Sequence, residues 1–372
     1  MLFLTLKIFS ATGGIEKVNR IAGKALYEIE TERGKTNFRL YSMHDSNEDN
    51  IENKYFSNSA FEGFNKHRGR FVYKSIRAGI KSDVVILSHI NLLLVGFFIK
   101  VLSPKTKLIL ITHGIEVWKV FPTWKKYALK KCDLVLPVSK FTKDTMIRLN
   151  SFPGEQFKIL NNCLDPLLPE ALHEDKSKNL LDRYGFANDN IILMTLTRLS
   201  VKEKYKGHEN VLYAIQKLII ANNNIRYLLV GKYDEAEKQR LDKLVHELGL
   251  SEFVVFAGFI LDEEIAAHYN LADIYVMPSK KEGFGIVFIE ALYYNKPVIA
   301  GNKDGSVDAL CNGKFGLLVD PDDQKEIAEA IEKMISIPSN YLPDRNLLME
   351  KFSYSTYKNN FKEIIISLHD LV

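Results

Sequence analysis

The feature that most constrains the fold is an alternation of short β-rich runs with helical patterns along nearly all 372 residues. Such alternation is typical of parallel sheets flanked by helices, so we expect an α/β protein. The expected strands lie near 3–8, 38–42, 84–88, 107–112, 134–137 and 157–160, and then near 191–195, 226–230, 254–257, 274–277, 297–300 and 316–319. Two such sets predict two doubly wound domains that bind ligands at the carboxyl ends of their strands.

The stretch 161–190 separates the two alternations. It contains Pro166, Pro169 and a polar run, HEDKSKN, without a strand-like segment, and it therefore predicts a linker. We expect an N-terminal domain over residues 1–170 and a C-terminal domain over 171–352. An amphipathic stretch over about 353–372 predicts an end helix that can pack on either domain, including back on the first.

The formal net charge of +4 is unevenly distributed. Residues 1–170 hold 26 Lys+Arg and 16 Asp+Glu, whereas residues 171–372 hold 24 and 30, which gives +10 and −6. Basic residues recur on predicted helices at Lys66, Arg68, Arg70, Lys74, Arg77, Lys81, Lys125, Lys126, Lys130 and Lys131. Either these are a solvated face, or they form a surface for an anionic lipid or a phosphate-bearing acceptor.

Two apolar stretches are too short for a secretory signal or a membrane span. The opening MLFLTLKIF includes Lys7 and predicts a buried first strand. The run 90–102 includes Lys100 and, against the ~20 residues of a spanning helix, predicts a core helix. The three cysteines lack zinc or redox spacing, which favours a reducing compartment and hence a cytoplasmic protein.

The segment richest in chemistry is PSKKEGFGIVFIEAL, residues 278–292. It follows an expected strand and opens a helix near Ile286. Gly283 and Gly285 let a ligand approach the main chain closely, and the N–H groups at the start of the helix suit a diphosphate. Glu282 and Glu290 would repel phosphates, so each is expected to accept hydrogen bonds from sugar hydroxyls. The alternative is that Glu290 is a solvated helix residue and the glycines serve a tight turn only.

The segment EGFGIVFIE resembles the E-x7-E pattern of the retaining glycosyltransferases of family 4 and their GT-B relatives. The resemblance covers essentially the whole chain. It includes GGIEKV at 13–18, THG at 112–114, VSKFTKD at 138–144, NNCLD at 161–165, TLTRL at 195–199, LLVG at 228–231 and GLLVDPDD at 316–323. It implies a GT-B fold, in which two Rossmann-like doubly wound domains face a central cleft.

The resemblance also implies roles for individual residues. Arg198 and Lys206 would bind the donor diphosphate and stabilise its charge as the sugar leaves. His113 would contact the donor sugar, although a histidine before a glycine is equally often a turn residue. Glu282 would bind a sugar hydroxyl and Glu290 the ribose. The remaining donor-binding residues implied are Gly13, Gly14, Gly231, Phe259, Gly283, Phe284, Gly285 and Ile286.

Two departures from the family pattern leave assignments open. The segment SVKEKYK, which ends at Lys206, is slightly longer than usual and contains Lys202 and Lys204 as rival cations. The assignment of Lys206 rests on the following Gly207. Asp308 stands where relatives commonly carry glutamate, so its role is undetermined.

Other chemistries are less consistent with the sequence. Asp320-Pro321-Asp322 spells the D-x-D of manganese-dependent transferases, but it follows a late strand far from Glu282, and chance occurrence is the favoured interpretation. We therefore expect neither a metal nor a cofactor. The GGI turn lacks the G-x-G-x-x-G of a nicotinamide dehydrogenase. A sugar phosphorylase, a nucleotide-sugar epimerase and a binding-only relative remain alternatives.

The expected activity is transfer of a hexose from a UDP- or GDP-sugar, with retention, to a glycan or polyprenyl-diphosphate-linked acceptor in bacterial surface polysaccharide synthesis. No nucleic-acid partner is expected. Trp118, Phe121, Trp124 and Lys125 face an acceptor, contact the inner face of the cell membrane, or are buried in the core.

Overall fold

The computed structural model describes residues 1–35, 37–171 and 175–369. The chain forms two compact units, one of Met1–Pro166 with Phe352–Val372 and the other of Leu167–Lys351. Each unit is built on one six-stranded parallel sheet. The expectation of an α/β protein with two doubly wound domains is confirmed.

The sheet of the first unit has the order β3-β2-β1-β4-β5-β6. Its strands are β1 Leu2–Thr5, β2 Arg39–Ser42, β3 Phe61–Gly63, β4 Val84–Leu87, β5 Lys107–Thr112 and β6 Leu134–Pro137. Its first five helices are α1 Gly14–Glu32, α2 Arg68–Gly79, α3 Leu93–Leu102, α4 Thr123–Leu129 and α5 Lys140–Asn150. The central strands β1 and β4 are buried along their length and are apolar except for Thr5, as helices on both faces of a parallel sheet require.

The sheet of the second unit has the order β12-β11-β10-β7-β8-β9. Its strands are β7 Ile191–Leu196, β8 Ile225–Val230, β9 Val254–Gly258, β10 Ile274–Met277, β11 Val298–Gly301 and β12 Leu317–Val319. Its helices are α6 Lys178–Tyr184, α7 His208–Leu218, α8 Glu235–Glu247, α9 Ile265–Leu271, α10 Ile286–Tyr293, α11 Ser306–Ala309, α12 Gln324–Ser336 and α13 Arg345–Phe352. The expected linker therefore contains a helix, α6, while its residues 172–174 lie outside the described part of the chain.

The last helix, α14, spans Tyr354–His369 and packs on α1 in the first unit. The hydroxyl of Tyr354 donates to Glu28 at 2.9 Å, and Lys358 and Lys362 pair with Glu32 at 2.9 and 2.8 Å. Apolar residues of α14 enter the core between α1 and the sheet. One helical layer of this unit is thus formed by α1 and α14, and the other contains α2, α3, α4 and α5.

Three sequence expectations were wrong or incomplete. The segment 157–160 is not a strand: it runs beside β6 with two backbone hydrogen bonds and a single bridge between Val135 and Phe157. The first sheet instead contains β3, a strand that the sequence did not indicate. The helix expected as part of the core, α3, has one exposed face, on which Leu102 is 63% exposed. None of the helices described has the length and apolar character of a membrane span.

Candidate functional site

In both sheets, the order of the strands reverses next to the first strand of the unit, between β1 and β4 and between β7 and β10. Ligands of open α/β sheets bind at such switch points, outside the carboxyl ends of the strands. In the second unit, the loops that leave this edge are the 3-10 turn Val201–Lys206 after β7 and residues 278–285 after β10. They contain Lys206 and Glu282, two of the four residues to which the resemblance gives a role at the reacting end of the donor.

The ammonium of Lys206 forms an ion pair and a hydrogen bond with the carboxylate of Glu282. The two side chains are only 16% and 18% exposed, so water screens the pair poorly. The other lysines of the turn, Lys202 and Lys204, are exposed. Of the three candidate cations, Lys206 is therefore the one that the fold brings to Glu282.

Backbone contacts hold the turn against the loop. The amide of Lys280 donates to the carbonyl of Tyr205 at 2.9 Å. Gly207 has φ of +82°, and a Cβ at this position would overlap the carbonyl oxygen of Pro278. A side chain is excluded there both by conformation and by space. Gly207 therefore brings the end of the turn, and with it Lys206, against the loop of Glu282.

The electrostatic environment keeps Lys206 charged. Burial lowers the pKa of the ammonium, but the charge and hydrogen bond of Glu282 outweigh burial and hold the pKa above its ordinary value. The ring of Tyr205 lies 5.8 Å from the ammonium. A cation at this edge is thus available at any pH at which the protein would be assayed.

A fully buried carboxyl group, Asp304, fixes the loop that carries Glu282. One oxygen of Asp304 accepts the backbone N–H of Glu282 at 2.6 Å and the hydroxyl of Ser279 at 2.9 Å, and the other accepts the N–H of Ser306 at 2.9 Å. Burial raises the pKa of Asp304 to about 6, although these hydrogen bonds oppose the shift. The sequence did not single out this residue, although its place before Gly305, just after an expected strand, is a signal.

Gly283 and Gly285, the two glycines before α10, have different structural roles. Gly285 has φ of +87°, and a Cβ there would meet the ring of Phe288, so the protein itself requires glycine. The carbonyl of Gly283 lies against Gly305, where a Cβ would overlap it. Phe284 and Ile286 are buried, and among the residues that the structure describes no side chain caps the start of α10. What this segment can offer a ligand is its backbone, as a diphosphate site requires.

Glu290 lies inside α10 and is 2% exposed, so the alternative of a solvated helix residue is wrong. Its carboxylate accepts the hydroxyl of Tyr269 at 3.3 Å. Burial, and then the charge of Glu290, raises the pKa of Tyr269 well above its ordinary value. Glu290 is thus a buried acceptor on the helix that Glu282 precedes.

The remaining second-unit residues follow β7, β8 and β9. Arg198 is 66% exposed, and its Nε donates to Glu203 of the same turn at 3.1 Å. Gly231 has φ of +135°, and a Cβ there would overlap the carbonyl oxygen of Thr197. Phe259 is 57% exposed. These residues follow neighbouring parallel strands and so share one edge of the sheet with Glu282.

In the first unit, His113 follows β5 and is 8% exposed. Its Nε2 lies 2.7 Å from the carbonyl oxygen of Ser88, and because a carbonyl only accepts, Nε2 carries the proton. The other nitrogen, Nδ1, is then a buried acceptor without a partner among the residues described.

Gly13 and Gly14 are exposed at the start of α1, and a Cβ at Gly14 would meet open space. Packing therefore does not require glycine at that position.

The carboxylates of the D-x-D lie against lysines. Lys303 pairs with Asp320 at 2.6 Å and with Asp322 at 3.3 Å, and Lys280 also pairs with Asp322. In the described part of the chain, no cluster of three histidines, cysteines or carboxylates could hold a metal ion. Metal independence itself stays a prediction. The role of Asp308, which is partly buried in α11, also stays open.

Residues 177–356 match the family of glycosyl transferases group 1. The matched segment makes up most of the second unit. The chain is 26% identical over 235 residues to the alpha-D-kanosaminyltransferase of Streptomyces kanamyceticus, a match that covers 63% of the chain and 58% of that relative. It is 28% identical over 246 residues to the GDP-mannose-dependent alpha-(1-6)-phosphatidylinositol monomannoside mannosyltransferase of Mycolicibacterium smegmatis, with 62% of each chain covered.

Among solved structures, Anabaena HepE in complex with UDP gives a TM-score of 0.81 at 20% identity and covers 99% of this chain and 100% of its own. The same Anabaena protein with UDP-glucose gives 0.79. These likenesses confirm the predicted two-domain GT-B fold. The chain spans about three fifths of the length of these two curated relatives, 58% and 62%.

Proposed function

We propose that the chain transfers a hexose from a UDP- or GDP-sugar, with retention of configuration, to a glycan or polyprenyl-diphosphate-linked acceptor of bacterial surface polysaccharide synthesis. The observation that carries the proposal is the pair of Lys206 and Glu282 at the switch point of the second sheet. It places a permanent cation and a hydrogen-bond acceptor side by side, next to the uncapped start of α10.

In this proposal, Glu282 binds the sugar of the donor and Lys206 binds its diphosphate. A carboxylate beside a diphosphate would normally repel it, but Lys206 offsets the charge of Glu282 and leaves its lone pairs available for a sugar hydroxyl. The same ammonium, together with the N–H groups of α10, then faces the diphosphate. Arg198 is exposed on the same loop after β7 and supplies the second cation. Glu290 would accept from the ribose, and Gly231 and Phe259 would lie beside the base.

The proposed reaction needs electrostatic stabilisation more than acid–base chemistry. The bond from the anomeric carbon to the β-phosphate oxygen breaks, and the acceptor oxygen bonds to the same carbon on the same face. The acceptor's proton moves to the departing phosphate oxygen. Negative charge builds on the diphosphate, where Lys206 and Arg198 stabilise it without a metal ion.

The first unit contributes an acceptor of fixed tautomer. Because Nε2 of His113 donates to Ser88, we assign Nδ1 the hydrogen bond from a hydroxyl of the donor sugar. Gly13 and Gly14 are assigned to backbone contact with the diphosphate and acceptor, since open space at Gly14 leaves the glycine without a packing reason.

The comparisons support the type of donor. One relative is named for dependence on GDP-mannose, and the Anabaena structures hold UDP and UDP-glucose. They differ in the base, so both UDP- and GDP-sugars are kept in the proposal.

Thermal unfolding with UDP, GDP, ADP and their common sugars would test the donor half, because a ligand of the folded state raises the melting temperature. We expect one nucleotide series to stabilise the chain, and Lys206→Ala to abolish that shift. With the donor known, nucleoside diphosphate should be released only when an acceptor is present, which separates a transferase from a phosphorylase, an epimerase or a binding-only protein. Stabilisation by none of the nucleotides would contradict the proposal.

A further inference from the structure

The outer surface of α3 and α4 is apolar to a degree that the fold does not require. Six large side chains there are between 44% and 63% exposed: Leu94, Phe98, Val101, Leu102, Trp124 and Tyr127. In α3 they recur at helical spacing and so form one continuous face. The single charged residue of α3, Lys100, turns inward and pairs with Asp133 at 2.8 Å. The outward face of α3 is therefore entirely apolar.

The helices α2, α3 and α4 form one surface. Gly79 of α2 lies so close to Ile99 of α3 that a Cβ would overlap that side chain. The ring of Phe97 in α3 lies 5.9 Å from the ring of Tyr127 in α4. We call the solvent side of these three helices the α2–α4 face. The fourth helix of this layer, α5, has mixed charge and no large exposed apolar residue.

The charged residues within α2, α3 and α4 are all basic; Lys100 turns inward, and Arg70 and Lys74 pair with Glu62 of β3. The three helices contain seven Lys+Arg and no Asp or Glu, and Lys81, Lys130 and Lys131 follow directly. The other helical layer of the same unit, α1 and α14, contains five Lys+Arg and five Asp+Glu. The basic excess of the first unit is therefore concentrated on the side that is also apolar.

Aromatic rings and lysines lie side by side on α4 and at its two ends. The ammonium of Lys125 lies 5.5 Å from the ring of Trp124 and 5.7 Å from that of Phe121, and that of Lys131 lies 5.3 Å from the ring of Tyr127. Of the residues that the sequence left undecided, Phe121 is buried and Trp118 is partly buried, whereas Trp124 is 52% exposed. Exposed tryptophan and tyrosine beside lysine stems is the composition of a surface that lies at a lipid–water interface.

We infer that the α2–α4 face docks on a bilayer that contains anionic lipid. The apolar face of α3 and Trp124 enter the headgroup region, while the lysines and arginines around them contact lipid phosphates. A bilayer that contains anionic lipid accommodates the apolar side chains and the surrounding cations together, and it therefore fits both properties of the face. The inference does not rest on the proposed transfer reaction.

Co-sedimentation of the full chain with vesicles tests the inference. One set of vesicles is phosphatidylcholine alone, and the other contains about 30% phosphatidylglycerol. We expect at least about tenfold tighter binding to the anionic vesicles at about 0.1 M salt, weakened at about 0.5 M. Binding no better than to phosphatidylcholine would overturn the inference.

A matched pair of variants separates this face from general charge effects. Phe98→Glu on α3 and Ile366→Glu on α14 alter residues that are 44% and 43% exposed, by the same change of charge. We expect Phe98→Glu to lower vesicle affinity at least about tenfold and Ile366→Glu to leave it unchanged. Equal affinities for the two variants would contradict the inference. Unchanged binding by Lys206→Ala would show that the donor site is not what binds lipid.

Tryptophan fluorescence reports insertion directly, because the chain has two tryptophans. Anionic vesicles should shift the emission of the chain to shorter wavelength, and Trp124→Phe should abolish the shift while Trp118 remains. Sedimentation velocity without lipid is the final control. A dimer that Phe98→Glu dissociates, together with no vesicle binding, would assign the face to self-association and overturn the inference.

Discussion

At the scale of single residues, the sequence located the ends of the main contact but not the contact itself. Lys206 and Glu282 are 76 positions apart, and Lys206 was preferred over Lys202 and Lys204 only because a glycine follows it. That glycine proves to be the residue that brings the turn against the Glu282 loop. Asp304 was missed because a lone aspartate after a strand is typical of a turn, and its burial depends on hydrogen bonds to residues 22 and 25 positions away.

Loss of either member of the pair should abolish most of the proposed turnover. We expect Lys206→Ala and Glu282→Ala each to lower kcat by about 10²–10³, since each removes a preorganised group from the charge that develops in the transition state. Lys204→Ala, which alters an exposed lysine of the same turn, is the matched control and should retain normal rates. Initial rates with the donor found by thermal unfolding measure the effect. Near-normal transfer by both alanine variants would contradict the site assignment.

The buried carboxyl of Asp304 should make the free energy of unfolding depend on pH between about 4 and 6. Its pKa is raised from 3.8 to about 6, so the folded chain holds the proton more tightly than the unfolded chain. The contribution of Asp304 to stability therefore falls as the pH rises from about 4 to about 6, by at most about 3 kcal/mol, and is constant above that range.

Urea unfolding of the wild type and of Asp304→Asn across this range measures the effect. The asparagine does not titrate, so the difference in unfolding free energy between the two proteins should change between about pH 4 and 6 and then level off. Both oxygens of Asp304 accept hydrogen bonds, and in Asp304→Asn an NH2 group, which cannot accept, replaces one of them. The variant should therefore be less stable than the wild type at low pH. A difference that is independent of pH would show that folding does not raise the pKa of Asp304.

At the scale of secondary-structure elements, the strands that contain apolar runs were predictable, and β3, which does not, was missed. The strands over 107–112, 134–137 and 274–277 were predicted at their observed bounds. The three-residue edge strand β3, FEG, carries too few residues for any alternation to show. The segment 157–160 misled because Phe157 and Leu160 are buried in a core without belonging to a ladder. An apolar pattern records burial, and only pairing decides which buried segments are strands.

The junction between the turn and the Glu282 loop should be sensitive to a single methyl group. Gly207 and Gly249 both have positive φ, at +82° and +70°, but a Cβ at Gly207 would overlap the Pro278 carbonyl, whereas a Cβ at Gly249 would meet open space. We expect Gly249→Ala to cost about 1–2 kcal/mol from conformation alone. Gly207→Ala should cost more and should also displace Lys206.

Chemical denaturation and nucleotide affinity check this prediction together. Gly207→Ala should lower both stability and affinity for the donor nucleotide, whereas Gly249→Ala should lower stability only. Donor affinity equal in the two variants would mean that the junction does not position Lys206.

At the scale of the whole molecule, the alternation of strands and helices was sufficient to predict two doubly wound units, because right-handed crossovers leave few other arrangements for two runs of six parallel strands. The place of α14 was not predictable in the same way. Its amphipathic pattern predicts a helix but is silent on which apolar surface receives it. That choice is made by α1, which presents both an apolar stripe and acidic residues at matching positions.

The return of α14 should make the first unit dependent on the C-terminal end of the chain. Five large side chains of this helix are buried in the first core: Tyr357, Phe361, Ile364, Ile365 and Leu368. At roughly 1.5–3 kcal/mol each, their burial is comparable to the stability of a whole domain, about 5–15 kcal/mol. A chain that ends at Ser353 should therefore unfold in its first unit alone.

Amide hydrogen exchange distinguishes packing from charge in this contact. In the chain that ends at Ser353, α1 should lose protection while β7 and β8 of the second unit retain it. The control is the full chain with Lys358→Ala and Lys362→Ala, which removes the ion pairs to Glu32 and keeps the apolar face. Because those pairs are exposed to solvent, the control should keep α1 protected. Full protection of α1 in the shortened chain would mean that the first core forms without α14. The burial of α14 would then follow folding of the first unit and would not be needed for it.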